Sequence, residues 1–187
     1  MMENLLEIHN KLKELGYTLK PFLNEDEGAL YEIFRNVVDT GCQFPYRSNS
    51  MQEFCRQFFA PESCVYVCRS LTEVVGGFYV KPNFSGRSSH IANAAYMIKE
   101  THRGQGIGTL LIKASLCIAK DLGFQALQFN MVLSQNIAAI KLYQKLGFNM
   151  IGAIPEAVQN PDGSYQNGYV MHRKLEDLKM DSLRNLL

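Results

Sequence analysis

Between an apolar stretch, "HIANAAYMI" (90–98), and a helix-like run, "TLLIKASLCIAKDL" (109–122), lies "HRGQGIG" (102–108). A helix N-terminus leaves its first backbone N–H groups without partners and carries a partial positive charge. A phosphate satisfies both, provided no side chain keeps it off the backbone. Gly104, Gly106 and Gly108 remove the Cβ atoms that would stand in the way and permit unusual φ angles. Arg103 adds a fixed charge with a forked donor set suited to phosphate. A strand, then R-x-x-G-x-G, then a helix therefore predicts a pyrophosphate cradle, with a ligand-free glycine turn as the alternative. A Walker A loop is excluded, because Thr109 rather than a lysine follows Gly108. The dinucleotide fingerprint G-x-G-x-x-G fails as well, since the third glycine of "GQGIG" comes one residue early.

Around this turn the chain alternates strand and helix signals. "NLLEIHNKLKEL" (4–15) places Leu5, Ile8, Leu12 and Leu15 on one face of a short helix that Gly16 ends. "YTLKPF" (17–22) alternates like a strand, and Asn24 before "EDE" predicts the N-cap of a helix running to Thr40. "TGCQFPYRSNS" (40–50) reads as a loop, after which Ser50 caps a helix over "MQEFCRQFFA" that Pro61 stops. "VYVCRS" (65–70) and "EVVGGFYVKP" (73–82) form a hairpin, and 90–98 is the next strand. Beyond the glycine turn come a helix to Leu122, a strand over 125–133 and a helix over 136–147. A last strand pair, "FNMIGAIPEAV" and "GYVMHRKL", follows, joined through Pro-Asp-Gly. "EDLKMDSLRNLL" (176–187) reads as helical. The expected fold is a single α/β domain over 17–175 with a mixed sheet of about six to seven strands and helices on both faces. The segment 1–16 is an N-terminal amphipathic helix and 176–187 a C-terminal helical segment.

Composition narrows the function classes. Apolar residues make up 47% and charged residues 20%, with a net charge of +1, so neither nucleic acid nor an anionic membrane meets a strong basic field. No apolar run approaches the length of a membrane span, and the N-terminus lacks a signal-peptide core. Five scattered cysteines (42, 55, 64, 68, 117) without CxxC pairs fit free thiols in a cytoplasmic protein. Cys64 and Cys68 flank "VYV"; on an extended strand they stand roughly 13 Å apart, too far to share a metal, and no metal is expected.

A second motif sharpens the reading. "SQNIAAIKLYQKLGF" (134–148) follows a strand as N-x-x-A-x-x-L-Y-x-x-L-G-F. Together with "RGQGIG" it resembles the two acetyl-CoA motifs of the GCN5-related N-acetyltransferase (GNAT) family, over about residues 17–175. The resemblance implies that acetyl-CoA is the donor. It gives the turn Arg103, Gly104, Gln105, Gly106, Ile107, Gly108 and Thr109 to the CoA pyrophosphate. It also implies that the strands matching 91–98 and 126–132 are parallel and splay around the pantetheine arm. Backbone N–H groups near Met97 and Ile98, beside a bulge on that strand, then polarise the thioester carbonyl. Tyr143 protonates the departing thiolate, or else places its ring in the core, and Asn136 contacts the CoA arm or caps its helix. Glu100 and His102 are weighed as bases beside a water-relayed path, and no single residue is assigned.

For the acceptor, "GGFYVKPNFSGRSSHIANAAYMI" and "FNMVLSQNIAAIKLYQKLGFNMIGAIPEA" resemble the fungal acetyltransferases of proline analogues such as azetidine-2-carboxylate, and their bacterial relatives. That resemblance gives Asn93 and Asn130 to the acceptor pocket, against the alternative of local hydrogen bonding. Tyr143 departs from the aromatic type common in the fungal enzymes, and the N-terminal segment is shorter. The 40–50 loop and the helix after it supply the remaining wall, with Phe44, Tyr46 and Arg47 as candidates, against the alternative of an ordinary surface loop. The leading expectation is an acetyl-CoA-dependent N-acetyltransferase, monomeric or homodimeric, acting on a small amine or an amino-acid-like molecule. A protein or peptide acetyltransferase and a non-catalytic acyl-CoA sensor are the alternatives.

Overall fold

The computed structural model describes residues 2–40, 43–45, 50–176 and 178, with the side chains of Met2 and Glu3 outside that set. Cys42, Tyr46 and Arg47 lie outside the described residues, as does the helix expected over 176–187 apart from Glu176 and Leu178. Apolar periodicity decides the helices. In α1 (Met2–Glu14), Ile8 and Leu12 are buried while Leu15, beyond its end, is exposed. In α2 (Glu27–Asp39), Leu30, Ile33, Phe34, Val37 and Val38 face inward. Asn24 does not cap this helix. A single 3-10 turn over Asn24–Asp26 precedes it, closed by Asp26 Oδ2 accepting from the Leu23 N–H at 3.0 Å. Asp26 stands at the N-cap position of α2 without a side-chain cap bond, its buried carboxylate being taken by Leu23 and Arg69. Ser50 caps α3 (Met51–Phe58) as expected, accepting from the Glu53 N–H at 3.3 Å.

Seven strands form one sheet: β1 (Thr18–Pro21), β2 (Cys64–Arg69), β3 (Val74–Pro82), β4 (Ile91–Ile98), β5 (Ala126–Leu133), β6 (Asn149–Gln159) and β7 (Tyr165–Lys174). Their spatial order is β1-β2-β3-β4-β5-β7-β6, antiparallel throughout except for the β4–β5 pair. The parallel pair needs a crossover, supplied by α4 (Ile107–Asp121), which starts two residues earlier than its apolar pattern suggests. α4 is buried from Leu110 to Ala119, because α1 covers its outer side. Phe78, Leu111, Leu116, Leu127 and Met171 form the core on this face of the sheet. Leu30, Phe34, Phe54, Val67 and Met97 form the core on the other, under α2 and α3. α5 (Ile137–Lys145) joins β5 to β6.

The β4–β5 pair holds for only two residues on each strand, Ile91↔Ala126 and Ala92↔Leu127. Past that point the strands part, and two features keep them apart. Asn93 Nδ2 donates to the Gln128 carbonyl at 2.9 Å, a side-chain bridge where the next ladder bond would fall. β5 then carries a register shift against β7 between Phe129 and Val132. The bulge expected on β4 is absent: β4 pairs with β3 in unbroken register from Gly76↔Ile98 to Pro82↔Ala92. The irregularity sits on β5 because β4 is fully paired on its other side and cannot bend away.

Candidate active site

Ladder geometry decides which backbone groups face the gap. The Lys99 N–H donates to the Val75 carbonyl at 2.8 Å, and the Ile91 carbonyl accepts from Asn83 at 2.8 Å. Alternate residues of an antiparallel pair bond to the same neighbour, so the odd-numbered residues of β4 address β3. Ala94, Tyr96 and Ile98 therefore turn their N–H and C=O groups into the gap. Of the two amides expected to polarise a carbonyl, that of Ile98 faces the opening and that of Met97 is taken by Gly77. Two side chains already engage the carbonyls exposed there. Gln43 Nε2 donates to Tyr96 O at 2.5 Å, and Arg103 Nε donates to Ile98 O at 3.2 Å.

At the end of β4 the chain enters the glycine turn. Gly104 and Gly106 have φ of +78° and +82°, left-handed values that side chains disfavour. Gly108 is needed for space instead, since an added Cβ would stand 3.3 Å from Ile98 Cδ1. Gly106 is the N-cap of α4 and, among the described residues, no side chain caps the helix, which leaves its first N–H groups to an outside acceptor. Among the described residues, chain neighbours aside, no atom lies within 4 Å of where a Cβ would project at Gly104 or Gly106. An unblocked helix N-terminus beside Arg103 fits a pyrophosphate.

Two cavities meet in the gap. One, of about 330 Å³, runs from the turn residues Arg103, Gly104, Gly106, Gly108 and Thr109 past Ile98 to Tyr143. The other, of about 170 Å³, lies further between the strands and is lined by Phe44, Tyr79, Asn93, Phe129 and Asn130 among others. Gln43, Tyr96, Asn136, Ala139 and Tyr143 line both.

The model of the acetyltransferase (GNAT) family matches residues 29–148. The chain belongs to this family. A GNAT structure from Kribbella flavida superposes with a TM-score of 0.81 at 31% identity, covering 86% of this chain and 99% of that one. A GNAT-superfamily phosphinothricin acetyltransferase from Sinorhizobium meliloti, in complex with AcCoA, shares the fold with a TM-score of 0.77 at 19% identity, covering 85% of this chain and 88% of that one. Among curated relatives, the N-acetyltransferase aca1 of Schizosaccharomyces pombe is 42% identical over 86 residues, 46% of this chain and 41% of that protein. Protein SPT10 of Saccharomyces cerevisiae is 32% identical over 85 residues, 46% of this chain and 13% of that protein. The matched segment thus spans less than half of either curated relative.

The two tyrosines lining both cavities differ in their commitments. Ser115 Oγ donates to the Ile112 carbonyl at 2.8 Å, so the Tyr96 hydroxyl, 2.5 Å away, donates to Ser115. The Tyr143 hydroxyl has no hydrogen-bond partner among the described residues, and its ring packs on Phe129 with centroids 4.3 Å apart. Burial raises the Tyr143 pKa above the ordinary tyrosine value. Asn136 is the N-cap of α5, accepting from the Ala139 N–H at 3.2 Å, and also lines both cavities. Asn93 accepts from the Tyr79 hydroxyl at 3.1 Å while its amide holds Gln128. Asn130 exchanges amide hydrogen bonds with Asn83 at 2.6 and 3.0 Å and accepts from Gln128 at 2.9 Å.

Gln105 does not line the cavity and accepts from Tyr17 at 2.6 Å, and Ile107, the first residue of α4, has its side chain buried. Phe44 lines the second cavity. His102 borders the first cavity with both ring nitrogens engaged, by Tyr17 and Glu73, while Glu100 is exposed. Sequence patterning does not mark Gln43 or Tyr79. A glutamine in a turn-rich loop and an aromatic in a strand carry no signal until the gap that they border exists.

Proposed function

We propose that this N-acetyltransferase moves acetyl from acetyl-CoA directly to the amine of a small, amino-acid-like molecule. One observation carries the reading: Tyr143, with its hydroxyl uncommitted, stands where the cavity leading from the glycine turn meets the cavity lined by Asn93 and Asn130. The donor, when bound, supplies an acetyl thioester. The open N–H groups of α4 and Arg103 hold its pyrophosphate. The Ile98 N–H, facing the gap, donates to the carbonyl oxygen and stabilises the negative charge that develops there. As the C–N bond forms and the C–S bond breaks, the sulfur takes the Tyr143 proton and the amine gives up its own to water. Burial disfavours the thiolate as it disfavours the phenolate, so donor and acceptor of that proton stay matched although the Tyr143 pKa is raised. Asn136 holds the start of α5, and with it the placement of Tyr143.

The acceptor side rests on neutral hydrogen-bonding groups, with Phe44 and Tyr79 as apolar wall. Free thiol released from acetyl-CoA, measured over azetidine-2-carboxylate, proline analogues, common amino acids, aminoglycosides, polyamines and short peptides, tests the reading. Turnover with amino- or imino-acid acceptors is expected. Turnover with peptides alone would move the enzyme to protein modification, and silence with bound acetyl-CoA would defeat the small-acceptor reading.

A further inference from the structure

α1 ends in a turn that aims the next residue at the cofactor turn. Ile8 and Leu12 are buried in the core that α4 shares, and Gly16 takes φ of +84°. The Gly16 N–H donates to the Lys13 carbonyl at 2.9 Å and the Tyr17 N–H to the Leu12 carbonyl at 2.8 Å, a Schellman closure that sets the path of Tyr17. Tyr17 is buried, and its hydroxyl reaches across to the turn, 2.6 Å from Gln105 Oε1 and 2.9 Å from His102 Nδ1. An amide oxygen only accepts, so the Tyr17 proton goes to Gln105 and the Tyr17 oxygen accepts from His102 Nδ1–H. His102 Nε2 in turn faces Glu73 Oε1 at 3.2 Å, and Glu73 also pairs with Lys99. Gln105 Nε2 donates to the Thr101 carbonyl at 3.4 Å.

Gln105 is the one side chain between two left-handed glycines, Gly104 and Gly106. A Gly-x-Gly turn is conformationally loose, and ordering it on binding costs affinity unless something holds it beforehand. Tyr17 holds it by that one available side chain. Tyr17 lies outside residues 29–148, the segment matched by the family model. We propose that Tyr17 is a positioning residue for acetyl-CoA. It fixes Gln105 and His102 so that the turn presents its N–H groups to the pyrophosphate, which makes the α1–β1 junction a working part of the donor site. The inference rests on the turn being the pyrophosphate cradle.

Tyr17→Phe keeps the ring and removes the brace. Calorimetric titration with acetyl-CoA is expected to give a Kd raised about tenfold, the equivalent of one hydrogen bond. The loss falls on the KM for acetyl-CoA rather than on kcat. Gln105→Ala, a change at an exposed residue, gives a similar loss, and the double variant loses no more than either single one because both remove the same contact. A Kd unchanged in Tyr17→Phe, or fully additive losses, would overturn the proposal. Gly106→Asp separates the two levels of the argument. If it abolishes acetyl-CoA binding, the cradle stands whatever Tyr17 does; if it binds like the unaltered enzyme, the cradle itself fails.

Discussion

Tyr143 and Tyr96 face the same opening, and only what their hydroxyls touch separates them. Tyr96 is committed to Ser115, whereas Tyr143 is poised at the junction of the two cavities. Replacing Tyr143 by Phe is expected to lower kcat by about 10²-fold or more, the usual worth of a placed general acid, with the KM for acetyl-CoA little changed. An unaltered kcat would remove the acid and leave the ring as core packing. The pH dependence follows from the raised pKa. Burial keeps the phenol protonated beyond the ordinary value of about 10, so Tyr143 imposes no descending limb on kcat between about pH 7 and pH 10. A limb in that range that vanished in Tyr143→Phe would show that the phenol titrates there and would overturn the raised pKa. At this scale the sequence was informative about residue type but silent on commitment, since Ser115, the partner of Tyr96, lies on another element, 19 residues along the chain.

Helix starts do the work at the next scale. Asn136 caps α5, whose next two turns carry Tyr143, and Gly106 opens α4 at a φ no side chain prefers. Asn136→Ala is expected to cost about 1 kcal/mol of stability and to lower kcat, while Asn136→Asp, which can cap, restores most of the stability. Urea unfolding together with initial rates checks both, and full activity in the alanine variant would dissociate the cap from the site. Gly106→Ala strains the turn by about 1–2 kcal/mol without adding charge, so its acetyl-CoA Kd should rise less than that of Gly106→Asp. Calorimetry of the two side by side makes that comparison. Most of these elements were legible in sequence, because caps, glycine stops and apolar periods act between near neighbours. The exception is at the start of α2, where the Asp26 carboxylate is taken by Leu23 and by Arg69 of β2.

Across the whole molecule, the cores on the two faces of the sheet enclose several weak acids. Burial pushes the Cys68 thiol up to about 12 and that of Cys117 to about 11, and raises Tyr96 and Tyr143 well above their ordinary range. All four shifts have one sign. Above about pH 9 the unfolded chain sheds these protons while the native state retains them, so the unfolded state binds fewer protons and stability falls as pH rises. Burial lowers the pKa of the Lys81 and Lys113 amines, which act in the opposite sense over the same range. The four acids outnumber them, so the urea midpoint should drop between about pH 8 and pH 10.5, and a rising midpoint would overturn this. The same burial predicts that a thiol reagent labels Cys68 and Cys117 only after unfolding, which peptide mapping by mass spectrometry resolves.

The sequence by itself determined the glycine turn with its arginine, most helices and strands of the described residues, the second motif and, through both motifs, the family. Each is a matter of local backbone preference or spacing along a single element. Tertiary structure decided the rest: that the strands part beyond Ala92 and Leu127, that the distortion falls on β5 rather than β4, and that Ile98 rather than Met97 turns its amide to the gap. It also brought Gln43 to Tyr96 and Tyr17 to Gln105. These outcomes depend on register between strands and on packing between elements far apart in the chain, and no local pattern of residue types encodes either.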